Sequence, residues 1–286
     1  MKKFTAVFIL LFICAGLLSC GEVHEEDNAE TNAAVIEQAD TPAQYEMNEA
    51  YYLYKKMTEL MADIKSIDME ISALSDLSID GEEASTYADG NIKKVINSDT
   101  DIEIYTDFEM YINGDFITSM AAYYTGGIYY SSSSSEFGGD IKQSYKMEDI
   151  QHAAFMPHAD LLDFPESAVK DYKISDYNGG KKIEMTLDGN NVTSLLEKEQ
   201  GVDDLYISEV ICEFIIDENN MLKFHRTIYE IKMTLRIPDE NNVLIDSHYD
   251  MKRDTSVTVN SYNDVVIDFP DDLDEYEYFE AVTVMV

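Results

Sequence analysis

Few residues in this chain could do bond-breaking chemistry, and their spacing does not suit it. There are five histidines and three cysteines. His152 and His158 stand either side of Pro157, not at the i, i+4 spacing that sets two imidazoles on one helical face. His225 and His248 fall in two strand-like runs; if those strands pair, the two rings could be neighbours, which is half a zinc site at most. His24 stands alone among carboxylates. Asp76-Leu77-Ser78-Ile79-Asp80-Gly81 opens like a calcium-binding loop, but the twelfth position is Tyr87, where a bidentate Glu is required. The alternation of Leu77 and Ile79 reads better as strand. The run Ser131 to Ser135 has no Gly-x-Ser-x-Gly around it and no base nearby, so it reads as a flexible loop ahead of Gly138-Gly139. With 57 Asp and Glu, a carboxylate pair at any given spacing carries no signal for glycoside hydrolysis. No phosphate loop or dinucleotide fingerprint is present. Cys212 lies on the apolar side of Val210, Cys212, Phe214 and Ile216, which predicts a buried, protonated, inert thiol. The expectation is a protein without catalytic residue, metal or cofactor, and not an enzyme.

Cys20 is different. Lys2 and Lys3 precede an apolar run from Phe4 to Leu18, shorter than the roughly 20 residues that span a bilayer. A signal peptide is the better reading. Leu17-Leu18-Ser19-Cys20 resembles a bacterial lipobox, which implies cleavage before Cys20 and a lipid on its sulfur. Two or more acyl chains anchor stably where one is marginal. The expected location is therefore the extracytoplasmic face of the cell membrane, held by the lipid on Cys20.

Composition narrows the partners. Lys and Arg number 20, for a formal charge of −37. Cleavage removes Lys2 and Lys3 and no acid, leaving 18 basic against 57 acidic residues, or −39. Nucleic acid is excluded as a partner, because phosphate backbones need a basic footprint. Charge would also not hold the protein on an anionic bilayer.

The elements that must carry any site follow from periodicity. Residues 1–19 are the signal peptide, and 20–47 are the lipidated Cys with an acidic, disordered tether. Residues 48–286 are one domain with an acidic C-terminal tail. Asn48 is an N-cap, and Ala50, Leu53, Tyr54, Met57, Leu60, Met61 and Ile64 follow at helical spacing. Then the period becomes two, over Ile67 to Ile79, a short strand 92–96, and Ile102 to Ile112. Asn113-Gly114 and Gly126-Gly127 mark hairpins. A strand 141–145 and a short helix 148–156 follow. The second half has a hairpin about Asn178-Gly179-Gly180 and a helix 192–200 capped by Asn191. Long strands 205–216 and 221–237 come next, then strands 243–253 and 255–259. The fold class expected is α+β: a curved antiparallel sheet packed over the N-terminal helix and two or three short helices.

The lipobox, the helix after Asn48, the segment Ala122-Tyr123-Tyr124-Thr125-Gly126-Gly127-Ile128-Tyr129-Tyr130, the run Ile141 to Met147, and the strand-turn-strand from Phe214 to Ile231 resemble a group of uncharacterised lipoproteins of Gram-positive bacteria. That group is similar to the LolA and LppX lipid-carrier folds. The resemblance implies an open half-barrel over helices with an apolar cavity between. The candidate cavity residues are Met57, Met61, Ile71, Ile104, Phe108, Met110, Met120, Val210 and Phe214. The implied function is to bind or carry an apolar ligand. The alternatives are that these residues fill a solid core, or that the domain is an envelope scaffold binding a protein or wall polymer through exposed tyrosines such as Tyr105 and Tyr111.

Overall fold

The computed structural model describes residues 48–98, 101–135, 139–146, 164–196, 202–238 and 244–279. The signal peptide, Cys20, the tether, His152, His158 and the expected helix 148–156 lie outside these residues.

Helix α1 (Glu49–Ala62) forms where its apolar stripe placed it. The Asn48 side chain accepts from the amides of Ala50 at 2.9 Å and Tyr51 at 3.2 Å, satisfying two donors that the first turn leaves unpaired. Ala50, Leu53, Tyr54 and Met57 are its buried face. The Asn48 amide donates to Glu166 Oε1 at 2.6 Å, and the Tyr51 hydroxyl donates to the Phe164 carbonyl at 3.2 Å. Both contacts fasten the start of the helix to the segment that leads into the second half of the chain.

All thirteen strands join one sheet. They are β1 (Ser66–Ile79), β2 (Glu82–Ser98), β3 (Asp101–Ile112), β4 (Asp115–Thr125), β5 (Ile128–Ser135), β6 (Gly139–Lys146), β7 (Val169–Tyr177), β8 (Gly180–Leu187), β9 (Val202–Ile207), β10 (Val210–Ile216), β11 (Leu222–Pro238), β12 (Leu244–Tyr262) and β13 (Glu277–Phe279). The spatial order is β13-β6-β5-β4-β3-β2-β1-β12-β11-β10-β8-β7, with β9 also on β11. The first six strands form a meander and β7 to β12 a second sheet half; β1 joins the halves by pairing with β12. Every pairing is antiparallel except that of β13 with β6. The ends of the order do not meet, so the sheet is open; at this size twist makes an open sheet curl.

Tight turns set the register. At Asn113-Gly114 both residues have positive φ, 53° and 86°, the type I′ geometry that matches strand twist. Asp80-Gly81 and Asn178-Gly179 turn the same way. Asp80 and Gly81 thus belong to a hairpin rather than to a calcium loop.

Four expectations are corrected. Strand β2 runs from Glu82 to Ser98, well beyond 92–96. Ser85, Thr86, Ala88 and Gly90 broke the apolar alternation, but a strand paired on both sides needs no apolar residue at every inward position. The serine run is not a loop: Ser131 to Ser135 lie within β5, hydrogen-bonded between β4 and β6. The expected strands 243–253 and 255–259 are one strand, β12. Helix α2 (Gly189–Leu196) begins before Asn191, with Asp188 Oδ1 accepting from the Asn190 amide at 3.1 Å. A Cβ on Gly189 would lie 1.9 Å from the Ser208 carbonyl oxygen, so only glycine allows this approach.

Strands β9 and β10 continue one another along β11, interrupted at Ser208-Glu209. The Ser208 hydroxyl accepts from the Glu230 amide at 3.0 Å, and the Ser208 amide donates to the Glu230 carbonyl at 2.9 Å. After β12 the chain turns at Asn263 and its Val265 amide donates to Ser66 Oγ at 3.2 Å. It then reaches β6, at the far edge of the first meander, where β13 pairs. The acidic run near the C-terminus is therefore drawn onto the sheet.

Candidate functional site

Residues directly opposite in a sheet share a face. The registers place Ile71, Gly90, Phe108, Met120 and Ser133 in one row, and Ala73, Ala88, Met110 and Thr118 in the next. Ile67, Lys94, Ile104, Tyr124, Tyr129 and Tyr145 form a third row, near the strand ends. In the other half, Cys212, Thr227 and Thr255 share a row with Ala73, and Phe214, His225 and Val257 share one with Ile71. All seven sheet residues among the nine candidates therefore lie on one face. Met57 of α1 is in the core cluster on that face, and Met61 packs against it.

The face has two characters. Under α1, from β1 across to β8, it is packed solid. Met57, Val210 and Phe214 are 0%, 1% and 1% exposed. A surface that a water-sized probe does not reach lines no open cavity, so these three fill the core. An aromatic column runs through it: Phe164 stacks on Tyr54 at 4.5 Å, Tyr54 meets Phe214 at 5.4 Å, and Phe214 stacks on His225 at 4.7 Å and 7°. Each such contact adds to the burial of a large ring.

From β1 to β4 the same face is unevenly covered: Ile67, Met69, Ile92 and Ala122 are buried. Ile71, Phe108, Met110 and Met120 are partly exposed, and Ile104 is buried. The floor is thus made of Ile, Phe and Met, side chains that pack on apolar matter, two of them on adaptable thioethers. Gly90 shapes it. A Cβ there would lie 2.6 Å from a Phe108 ring carbon and 1.9 Å from the Asp107 carbonyl oxygen. Phe108 therefore lies close over a bare backbone.

Two buried groups are chemically suggestive and inert. Burial pushes the Cys212 thiol up to about 12, so almost none is thiolate at neutral pH. Burial pushes His225 down to about 4, leaving a neutral ring. His225 Nε2 lies 2.7 Å from Thr227 Oγ1, while its Nδ1 has no partner. His225 and His248 are not neighbours. His225 pairs with Val257, buried on the inner face; His248 pairs with Thr234 and is exposed. Among the described residues no group of three or more His, Cys, Asp or Glu could hold a metal ion.

A groove of about 620 Å³ lies elsewhere, across β2, β1, β12 and β11. Asp76, Ser78, Glu83, Ser85, Asn113, Glu230, Lys232, Asp250 and Lys252 line it. Its charges alternate across the strands: Glu230 faces Lys252, which faces Asp76, and Lys232 faces Asp250. Opposite charges in facing positions offset one another, and four carboxylates against two lysines leave the groove acidic.

The outer face of the first meander carries tyrosines, and the C-terminal segment covers them. Tyr105 and Tyr123 meet at 5.0 Å, Tyr123 and Phe269 at 6.1 Å, and Tyr130 and Tyr276 at 5.7 Å. Burial, with Asp107 nearby, pushes the Tyr105 phenol up to about 12. Tyr105 is partly exposed, and its ring packs on Tyr123. Tyr111 is partly exposed and donates to Glu109 Oε2 at 2.6 Å.

The sequence signal missed Lys94. Its neighbour Lys93 faces outward, 3.6 Å from Asp68, so Lys94 must face inward. Read as one of two consecutive lysines, it looked like ordinary surface charge.

No protein-family model matches the chain, and no curated protein matches it in sequence. Among solved structures it is similar to a putative outer membrane lipoprotein-sorting protein domain from Vibrio parahaemolyticus, at 9% identity and a TM-score of 0.23, covering 79% of this chain and 98% of that one. It is also similar to a DUF1329 family protein from Desulfovibrio piger, at 9% identity and a TM-score of 0.22, covering 77% and 93%. TM-scores this low carry no inference about function.

Proposed function

We propose that this protein is a membrane-anchored, extracytoplasmic lipoprotein that holds an apolar ligand against the partly exposed residues of its inner sheet face. One observation carries the reading. On a single face, Ile71, Phe108, Met110 and Met120 remain partly open beside residues packed to near-zero exposure, both under α1 and in the adjoining row of Met69, Ile92 and Ala122. Apolar surface left open next to a close-packed core is where an apolar ligand gains most from burial. The lipobox at Cys20 supports placing this face at a membrane, the source of such ligands. The chemistry is binding only.

Native mass spectrometry of protein purified from its own membranes tests the proposal, together with titration by a fluorescent fatty-acid probe. The expected result is a co-purifying lipid-sized mass and saturable probe binding. Met120→Asp should weaken the probe at least tenfold with a thermal midpoint close to wild type, since Met120 is already partly open. Absence of both a bound mass and probe uptake would overturn the proposal.

A further inference from the structure

The inner face of the first meander is apolar and small-polar except at one place. Lys94 sits between Ile67 on β1 and Ile104 on β3, in the row nearest the end of β1. Ile67 and Ile104 are each 7% exposed, and Lys94 between them is partly buried. Three phenols continue the row: Tyr124, Tyr129 and Tyr145, with the last two rings 5.1 Å apart. The row thus forms a polar rim. The partly exposed Ile71, Phe108, Met120 and Met110 lie further along the strands, beyond the buried row of Met69, Ile92 and Ala122 and within about 20 Å at 3.3 Å per residue.

Among the described residues Lys94 has no counter-charge. Its neighbours in other places are paired: Lys93 with Asp68, Lys142 with Asp272, Lys182 with Glu213. Among the described residues no carboxylate lies within ion-pair distance of Lys94, although the chain holds 57 of them. Burial alone holds its amine below the usual lysine range, with no opposing charge to restore it. Another cation on the inner face, Arg253, stands opposite Ser75 near the far end of β1 and donates Nε to Thr255 Oγ1 at 3.1 Å. A cation half-sunk in an apolar face of a strongly acidic protein costs stability unless a partner arrives with the opposite charge.

Building on the carrier reading, we propose that the ligand is an anionic amphiphile whose acidic head pairs with Lys94 while its chain lies over Phe108, Met120 and Met110. The head group chemistry is a carboxylate or phosphate monoanion at the end of an acyl chain. The phenols of the rim stand where a head group leaving the apolar floor would meet hydroxyls.

The test compares 11-(dansylamino)undecanoic acid with its methyl ester, which has the same chain and reporter but no charge, on the purified full-length protein and on Lys94→Met and Lys94→Arg. Wild type should bind the acid about tenfold or more tightly than the ester, the scale of one charge-assisted contact. Lys94→Met should weaken the acid to the level of the ester and leave the ester unchanged. Lys94→Arg should restore most of the preference. Thermal unfolding provides the second readout: without ligand, Lys94→Met should melt no lower than wild type, because an unpaired half-buried charge has been replaced by an apolar chain. Equal binding of acid and ester by wild type, or a lower melting point in Lys94→Met with the preference intact, would overturn this inference and leave the carrier reading standing. Failure of wild type to bind either probe would overturn both.

Discussion

His225 shows how position decides what a residue type can do. Its ring is stacked against Phe214 and buried among β10, β11 and β12, and burial holds it neutral, down to about 4. The sign of the consequence follows. Unfolded, the ring takes a proton as pH falls through about 6.5; folded, it resists until about 4. Between those values the unfolded chain binds the extra proton, so stability falls as pH falls across that window. The effect levels off below it. Its full size is roughly 3 kcal/mol by linkage. Urea unfolding at pH 7.5 and pH 4.5 measures it. The loss on acidification should be smaller in His225→Phe than in wild type, since phenylalanine keeps the stack and does not titrate. An equal loss in both proteins would show that the ring is reached by water. Cys212, one row away, is silenced by the same desolvation.

Among elements, β2 is the one whose sequence hid its role. Its small residues left too few apolar positions to read as a long strand, yet Gly90 is where β3 leaves no room for a side chain. A Cβ there falls on the Asp107 carbonyl oxygen, a backbone atom that cannot rotate away. The Asn91 amide also donates to Asp107 Oδ1 at 2.9 Å, which pins the local geometry. Gly90→Ala should therefore destabilise by about 2 kcal/mol or more, as overpacking does. It should also weaken probe binding, because Phe108 loses its seat. Denaturant midpoints and the probe titration check both effects; an alanine variant as stable as wild type would mean that the two strands are free to part.

For the whole molecule, the proposed anchoring rests on one residue. With the charge of −39 that the expected cleavage would leave, no electrostatic attraction would hold a trimmed protein on an anionic membrane. Among the described residues no helix is long and apolar enough to cross a bilayer. A version exported by a different signal and carrying Cys20→Ala should fold, because α1 and every strand begin after Asn48. It should leave the membrane fraction. Retention through a salt wash would reveal a second, apolar membrane contact, and the open floor around Phe108 and Met120 is the surface to test first.

The sequence by itself determined what is local. Asn48 and the stripe from Ala50 to Met57 made α1, because capping and a 3.6-residue period act within a few turns. Asn-Gly and Asp-Gly pairs set the hairpins through φ alone. Alternation placed Ile71, Ile104, Phe108, Met110, Met120, Val210 and Phe214 on one face, as a period of two must. Tertiary structure decided which part of that face is filled. The position of α1 over the far half closed Met57, Val210 and Phe214 into core, while Ile71, Phe108, Met110 and Met120 stayed partly exposed, and no period in the sequence encodes where a helix comes to rest on a sheet. Pairing on both sides made a strand of Ser131 to Ser135, since a central strand draws its hydrogen bonds from neighbours distant in sequence. The return of the chain after Asn263 brought Phe269 against Tyr123 and Tyr276 against Tyr130. Lys94 became distinctive only when register turned it inward between Ile67 and Ile104, where desolvation, a property of the assembled fold, acts on a charge that the sequence shows as unremarkable.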